Sequence, residues 1–121
     1  MKKAIVLFAH GSRDPLWHQP IEAVAARIEA QAPDTPVACA YLELSKPDLP
    51  TVVDRLTASG VTSISVIPMF LGVGRHARED LPLLVTELQH KYPNLAITLT
   101  AAVGENSKLV HLLADIALES L

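Results

Sequence analysis

Four short, mostly apolar runs punctuate the chain. Each is followed, after a polar or glycine-bearing loop, by apolar positions spaced as on one side of a helix. The runs are residues 4–9 (AIVLFA), 37–42 (VACAYL), 63–67 (SISVI, extendable to Met69) and 95–101 (LAITLTA). The first run, at residues 4–9, is continuous with no polar alternation and predicts a strand covered on both faces. Behind them come four stripes at i, i+3, i+4, i+7: Ile21, Val24, Ala25, Ile28; Leu49, Val52, Val53, Leu56; Leu81, Leu84, Val85, Leu88; and Leu109, Leu112, Leu113, Ile116. That spacing predicts helices with one face toward a core.

The punctuation agrees. Ser45-Lys46-Pro47-Asp48 reads as a helix start, with Pro47 or Pro50 tolerated in the first turn. Gly60 reads as a C-terminal cap. Gly104 to Ser107 reads as a turn and cap, and Pro82 falls early in the third helix. Pro20 is awkward, because proline inside a helix kinks it. Either the first helix starts near Pro20, or residues 10–19 are a loop with a loose first turn. The third helix is expected to begin a few residues after His76.

The order is therefore βαβαβαβα. Strict alternation predicts an α/β fold with a four-stranded parallel sheet, right-handed crossovers and helices on both faces. Residues 1–121 read as one domain, with no internal linker, low-complexity tract or charge block. A sheet this small, facing a large ligand, predicts pairing of two chains.

Composition narrows the function. Half of the residues are apolar and 19% are charged, which argues against a disordered chain. A formal net charge of −3 gives no support for a nucleic-acid surface. The lone cysteine, Cys39, lies in an apolar run and reads as a small buried residue; a single cysteine cannot form an internal disulfide, so cytoplasm is the simplest compartment. No run approaches the ~20 residues of a membrane span. The opening MKKAIVLFAHGS slightly mimics a signal peptide, but its apolar run is short and charged residues follow, so it reads as the first strand.

The chemistry gathers at strand ends. His10 follows the first run in AHGSRD, Glu43 the second in AYLEL, and His76 lies in PMFLGVGRHARED after the third. In a parallel sheet the carboxyl ends share one rim, where ligands bind, so these three side chains are expected to converge there. Two imidazoles and a carboxylate suit a borderline divalent ion such as Co²⁺, Fe²⁺, Ni²⁺ or Zn²⁺, not Mg²⁺ or Ca²⁺. Three protein ligands leave positions open. Taken singly, each also has a plain reading: a solvated loop histidine, or Glu43 in a weak surface pair with Lys46. His18, His90 and His111 are placed on helices, away from the rim. Gly72 and Gly74 read either as a flexible connection or as a way for a bulky ligand to reach the main chain. They form neither a dinucleotide fingerprint nor a Walker loop. Arg13, Lys46, Arg75 and Arg78 fall in or just after the same loops, which suits a substrate with several carboxylates.

AHGSRD, AYLEL and IPMFLGVGRHARED together resemble the class II tetrapyrrole chelatases, and within them the short, single-domain CbiX-type sirohydrochlorin cobaltochelatases. The likeness covers essentially the whole chain. It implies a flavodoxin-like chelatase half-domain that pairs as a homodimer, where longer relatives carry two halves in one chain. The implied reaction is that of a lyase: Co²⁺ enters sirohydrochlorin and two protons leave, on the route to cobalamin. No cofactor is implied beyond the divalent metal substrate. His10 matches a proton acceptor and metal ligand, His76 a second metal-binding histidine, and Glu43 a site carboxylate with catalytic or substrate-binding duty. Phe70, Leu71, Gly72, Val73, Gly74 and Arg75 match a substrate-contacting loop. Pro20 departs from the family pattern, and the chain lacks the histidine-rich tail of some relatives.

Three alternatives stay open. The metal can be Fe²⁺, for sirohaem, or Ni²⁺ on the same substrate. The protein can be a metal or tetrapyrrole carrier without turnover. A histidine phosphatase is the third, but that motif needs arginine immediately before the histidine, where this chain has Ala9.

Overall fold

In the computed structural model, which describes residues 2–121, four parallel strands form one sheet. β1 (Lys3–Ala9), β2 (Val37–Tyr41), β3 (Ser63–Pro68) and β4 (Ala96–Leu99) lie in the order β2-β1-β3-β4. β1 pairs with β2 from Ile5 opposite Val37 to Ala9 opposite Tyr41, and with β3 from Lys3 opposite Ser63 to Phe8 opposite Pro68. The helices are α1 (Gln19–Gln31), α2 (Leu49–Ala58), α3 (Arg75–Lys91) and α4 (Ser107–Leu118). Short 3₁₀ turns at Pro15–His18 and Val103–Glu105 precede α1 and α4.

Alternate strand positions sort the sheet into two faces. One face carries Ala4, Val6, Phe8, Ala40, Ile64 and Val66, joined in one core with Leu49, Val52 and Val53 of α2 and Leu81, Val85 and Leu88 of α3. Val6, Val53, Ile64 and Val66 are fully buried there. The opposite face is covered by α1 over β1 and β2. Leu7 and Tyr41 are buried on that side. Beyond them the β3–β4 half of the face, Ser65 and Ile67 with Ala96 and Thr98, is left half-buried to exposed.

The helix starts explain the proline pattern. Pro20 stands in the first turn of α1, where its missing N–H costs no hydrogen bond; the loose turn before it is the 3₁₀ segment, capped by Asp14, whose carboxylate accepts from Leu16 N–H at 3.0 Å. In α2, Asp48 caps the helix by accepting from Thr51 N–H at 2.9 Å, and Pro50 sits in the first turn. Hydrogen bonding from Thr51, first its side chain and then its N–H, holds the Asp48 carboxyl below the usual range. Gly60, at φ +94°, closes α2 in the left-handed region.

Two expectations are corrected. α3 begins at Arg75, so His76 lies in its first turn and not in the preceding loop. Extended Gly74 (φ −64°, ψ 158°) serves as the cap, and Arg75 pairs with Glu79 one turn on, at 3.2 Å. α4 forms where its stripe predicts, yet none of its residues is buried. Leu112 and Ile116 are 54% and 51% exposed. α4 packs chiefly on the Val103–Glu105 turn, so most of its stripe is left open to solvent within this chain. No helix among the described residues is long and apolar enough to cross a membrane.

Candidate functional site

The strand order creates the site. The chain leaves β1 toward α1 on one face and leaves β3 toward α3 on the other. Adjacent strands whose exits diverge open a crevice at their carboxyl ends. His10 follows β1 and the 69–74 loop follows β3, so both border that crevice.

His10 rests on an aromatic stack. Its ring lies 5.6 Å from that of Phe70, and Phe70 meets Phe8 edge-on at 6.2 Å. Phe8 is in the core, so the support under His10 is anchored in β1 itself. Phe70, matched above to a ligand contact, is only 7% exposed. It is drawn in because the β1–β3 ladder runs on past the strands, with Met69 N–H donating to Phe8 O at 2.8 Å. Leu71, the next residue, is 68% exposed and remains open to solvent.

Glu43 reaches the same rim from the loop after β2. Leu42 N–H donates to Ala9 O at 2.9 Å and Glu43 N–H to His10 O at 3.1 Å. The β1–β2 pairing thus continues to the two side chains that matter. The His10 Nδ1 to Glu43 Oε1 distance is 3.9 Å, with the side chains 57% and 60% exposed. That is too long for a hydrogen bond and worth little as a surface ion pair. Glu43 pairs with His10 and not with Lys46.

The structure does not close the expected set of three ligands. Among the described residues, no three histidine, cysteine or carboxylate side chains gather closely enough to hold a metal ion. His10 and Glu43 come together; His76 is exposed on the first turn of α3. Arg13, Lys46, Arg75 and Arg78 are all exposed around these loops, and the Arg75 guanidinium engages Glu79 of its own helix.

The glycines divide into two kinds. Gly11 stands at φ +98°, and a Cβ there would overlap the Glu43 carbonyl. Gly104 would overlap the Leu71 backbone, while its N–H donates to Phe70 O at 2.9 Å. Both let loops touch. Gly72 and Gly74 have ordinary backbones, and a Cβ at either meets nothing within 4 Å. Neither is demanded by turn geometry or packing, so open space lies over this stretch of main chain.

The sequence assigns Gly11 no role and reads Ser45 and Gly104 only as parts of a helix start and a turn. His18 was placed away from the rim; it ends the 3₁₀ turn and reaches Ser45 Oγ at 2.9 Å. Burial pushes the neighbouring Tyr41 phenol up to about 12, and burial with the Glu22 charge pushes the Cys39 thiol up. Both groups stay neutral near pH 7.

A base and a carboxylate side by side at an open rim can take up protons and offer nitrogen and oxygen donors to a borderline ion. The model of the CbiX family matches residues 4–120 of this chain. The chain belongs to the CbiX family. A sirohydrochlorin cobaltochelatase of Methanothermobacter thermautotrophicus is 38% identical over 67% of this chain and 56% of its own length. A sirohydrochlorin ferrochelatase of Bacillus subtilis is 28% identical over 91% of this chain and 42% of its own. The crystal structure of a putative cobalamin biosynthesis CbiX protein from Marinobacter aquaeolei VT8 superposes with a TM-score of 0.85 at 34% identity, covering 98% and 96% of the two chains. The chain thus spans about half the length of these two curated relatives and nearly all of this solved one.

Gly104→Ala is expected to lower stability by about 1–3 kcal/mol through overpacking against Leu71. Gly72→Ala should leave stability unchanged or raise it by about 0.4–1 kcal/mol. Urea denaturation midpoints of the two variants check the contrast.

Proposed function

We propose that this protein is a sirohydrochlorin chelatase, a lyase that inserts Co²⁺ into the macrocycle with release of two protons, in cobalamin biosynthesis. The observation that carries the reading is the His10–Glu43 pair at the β1–β3 crevice of a CbiX-family chain, 3.9 Å apart and open to solvent. As the ion enters, two pyrrole N–H groups must each give up a proton. His10 accepts one on an imidazole nitrogen. That nitrogen cannot bind metal at the same moment, so Glu43 shares the work by receiving a proton or holding the ion. His76, on the α3 first turn, presents the ion from the other side of the crevice.

The uncrowded backbone at Gly72 and Gly74 leaves room for a flat macrocycle against the loop. Exposed Leu71 supplies an apolar contact, with Val73 and Arg75 beside it. The substrate's carboxylates meet the cations around the rim. A ferrochelatase reading is favoured by the Bacillus subtilis relative, because the donor set does not itself choose between Co²⁺ and Fe²⁺. No resident cofactor is part of this reading. The cytoplasm is the proposed compartment, in keeping with a single cysteine that is half-buried and chemically quiet.

The working unit is proposed to be a homodimer. α4 turns an apolar stripe to solvent beside a bare half-sheet. A groove of about 360 Å³ lined by Met69, Val103, Leu109 and Leu112 lies between the site loop and that helix. The Bacillus subtilis relative is more than twice as long as the part this chain matches, room for a second such unit.

Anaerobic insertion assays with Co²⁺, Fe²⁺ and Ni²⁺ on sirohydrochlorin test the activity. Co²⁺ should be inserted well above the uncatalysed rate. His10→Ala and His76→Ala should each lose about 10²-fold or more of that rate with an unchanged fold by circular dichroism. Binding of metal and macrocycle without turnover would make the protein a carrier instead, and full activity in either variant would remove that residue from the mechanism. Sedimentation at micromolar concentration should give a dimer that Leu112→Glu splits; an active monomer would contradict the pairing.

A further inference from the structure

His18 differs from the other helix-borne histidines. His90 and His111 are exposed, whereas His18 is half-buried. Its ring stacks on Tyr41 with centroids 4.6 Å apart and planes 24° from parallel. Tyr41 is buried in β2 and stands opposite Ala9, the residue before His10. The ring plane of His18 is therefore fixed by the strand beside the site.

Its Nε2 points at Ser45 Oγ, 2.9 Å away. Ser45 Oγ also donates to Ser12 O at 2.7 Å and accepts from Ser12 N–H at 2.9 Å. A hydroxyl has one proton and two lone pairs. The proton is committed to Ser12 O, and one lone pair to Ser12 N–H. Only a lone pair remains for His18, so Nε2 must carry a hydrogen and donate it. Ser45 Oγ is then satisfied in all three directions.

This hub ties together the two loops that hold the site pair. Ser12 lies two residues after His10, and Ser45 two residues after Glu43. Between Glu43 and Ser45, Leu44 is held at φ +62°, a conformation a branched side chain rarely adopts. On the other loop, Gly11 is pressed against the Glu43 carbonyl. Close contact and unusual backbone on both loops need something to hold them in register, and the Ser12–Ser45–His18 hydrogen bonds stand where they would do so.

We propose that His18 and Ser45 are positioning residues that set the spacing of His10 and Glu43, with His18 acting as an obligatory Nε2–H donor. The catalytic consequence rests on the chelatase reading above; the positioning itself does not. His18→Phe keeps a flat ring on Tyr41 but removes the donor. His18→Gln places an amide N–H at a similar reach, and Ser45→Ala removes the hub.

The test combines insertion kinetics with ¹H–¹⁵N spectra of the imidazoles in metal-free, ¹⁵N-labelled protein at pH 8. Wild-type His18 should show hydrogen on Nε2, and His18→Phe should displace the His10 ring signals. In the assay, kcat should fall about tenfold in His18→Phe and Ser45→Ala, with KM for sirohydrochlorin little changed, and His18→Gln should recover most of kcat. The proposal is overturned by full kcat in His18→Phe, by equal losses in Phe and Gln variants that track a lower urea midpoint, or by hydrogen on His18 Nδ1 alone. If the wild type inserts no metal, the chelatase reading fails separately. The His10 signals then decide the positioning: displaced in His18→Phe they support it, unmoved they overturn it.

Discussion

β1 is hydrogen-bonded to a parallel neighbour along both edges, and that one strand fixes where the loops of the site can be. Because its partners run the same way, all the strands end at one rim. Because the chain leaves β1 and β3 toward opposite faces, that rim opens between them and not elsewhere. The constraint is enforced by burial. Val6, Leu7 and Phe8 of β1 are at most 1% exposed, so both faces of the strand are packed, and slipping it by one residue would press each side chain into a space shaped for another. Phe8, Phe70 and His10 then carry the rigidity of the core outward to the solvent in three steps.

Above that foundation the site is held by backbone more than by charge. The His10–Glu43 pair adds little stability of its own, and the main-chain bonds of Leu42 and Glu43 to β1 and its exit bring the two loops alongside each other. Glycines are spent where chains must touch, at Gly11 and Gly104, and also where nothing in the fold asks for them, at Gly72 and Gly74. A tight frame around an uncrowded loop suits a large, flat guest.

Much of this was legible in the residues. Short, mostly apolar runs mark all four strands, and the rim position of His10 and Glu43 follows from parallel topology. The CbiX likeness was legible in three short motifs. Three things were not. The stripe of α4 has the same spacing as the other three, and periodicity cannot say whether the face it predicts meets this chain or another surface. The start of α3 was set too late because Arg75 and His76 look like loop residues, while the extended Gly74 that begins the helix has no side-chain cap to announce it. His18 was dismissed because its partners, Ser12, Ser45 and Tyr41, come from other elements; no local pattern marks a hydrogen bond across 27 positions.

The most direct measurement is anomalous diffraction at the cobalt edge from crystals soaked with Co²⁺ and sirohydrochlorin. The account predicts a cobalt peak at the carboxyl ends of β1 and β3, about 2.1 Å from a His10 nitrogen, with the macrocycle lying over Gly72 and Gly74. A peak held instead by His90 or His111, or at the amino ends of the strands, would contradict it.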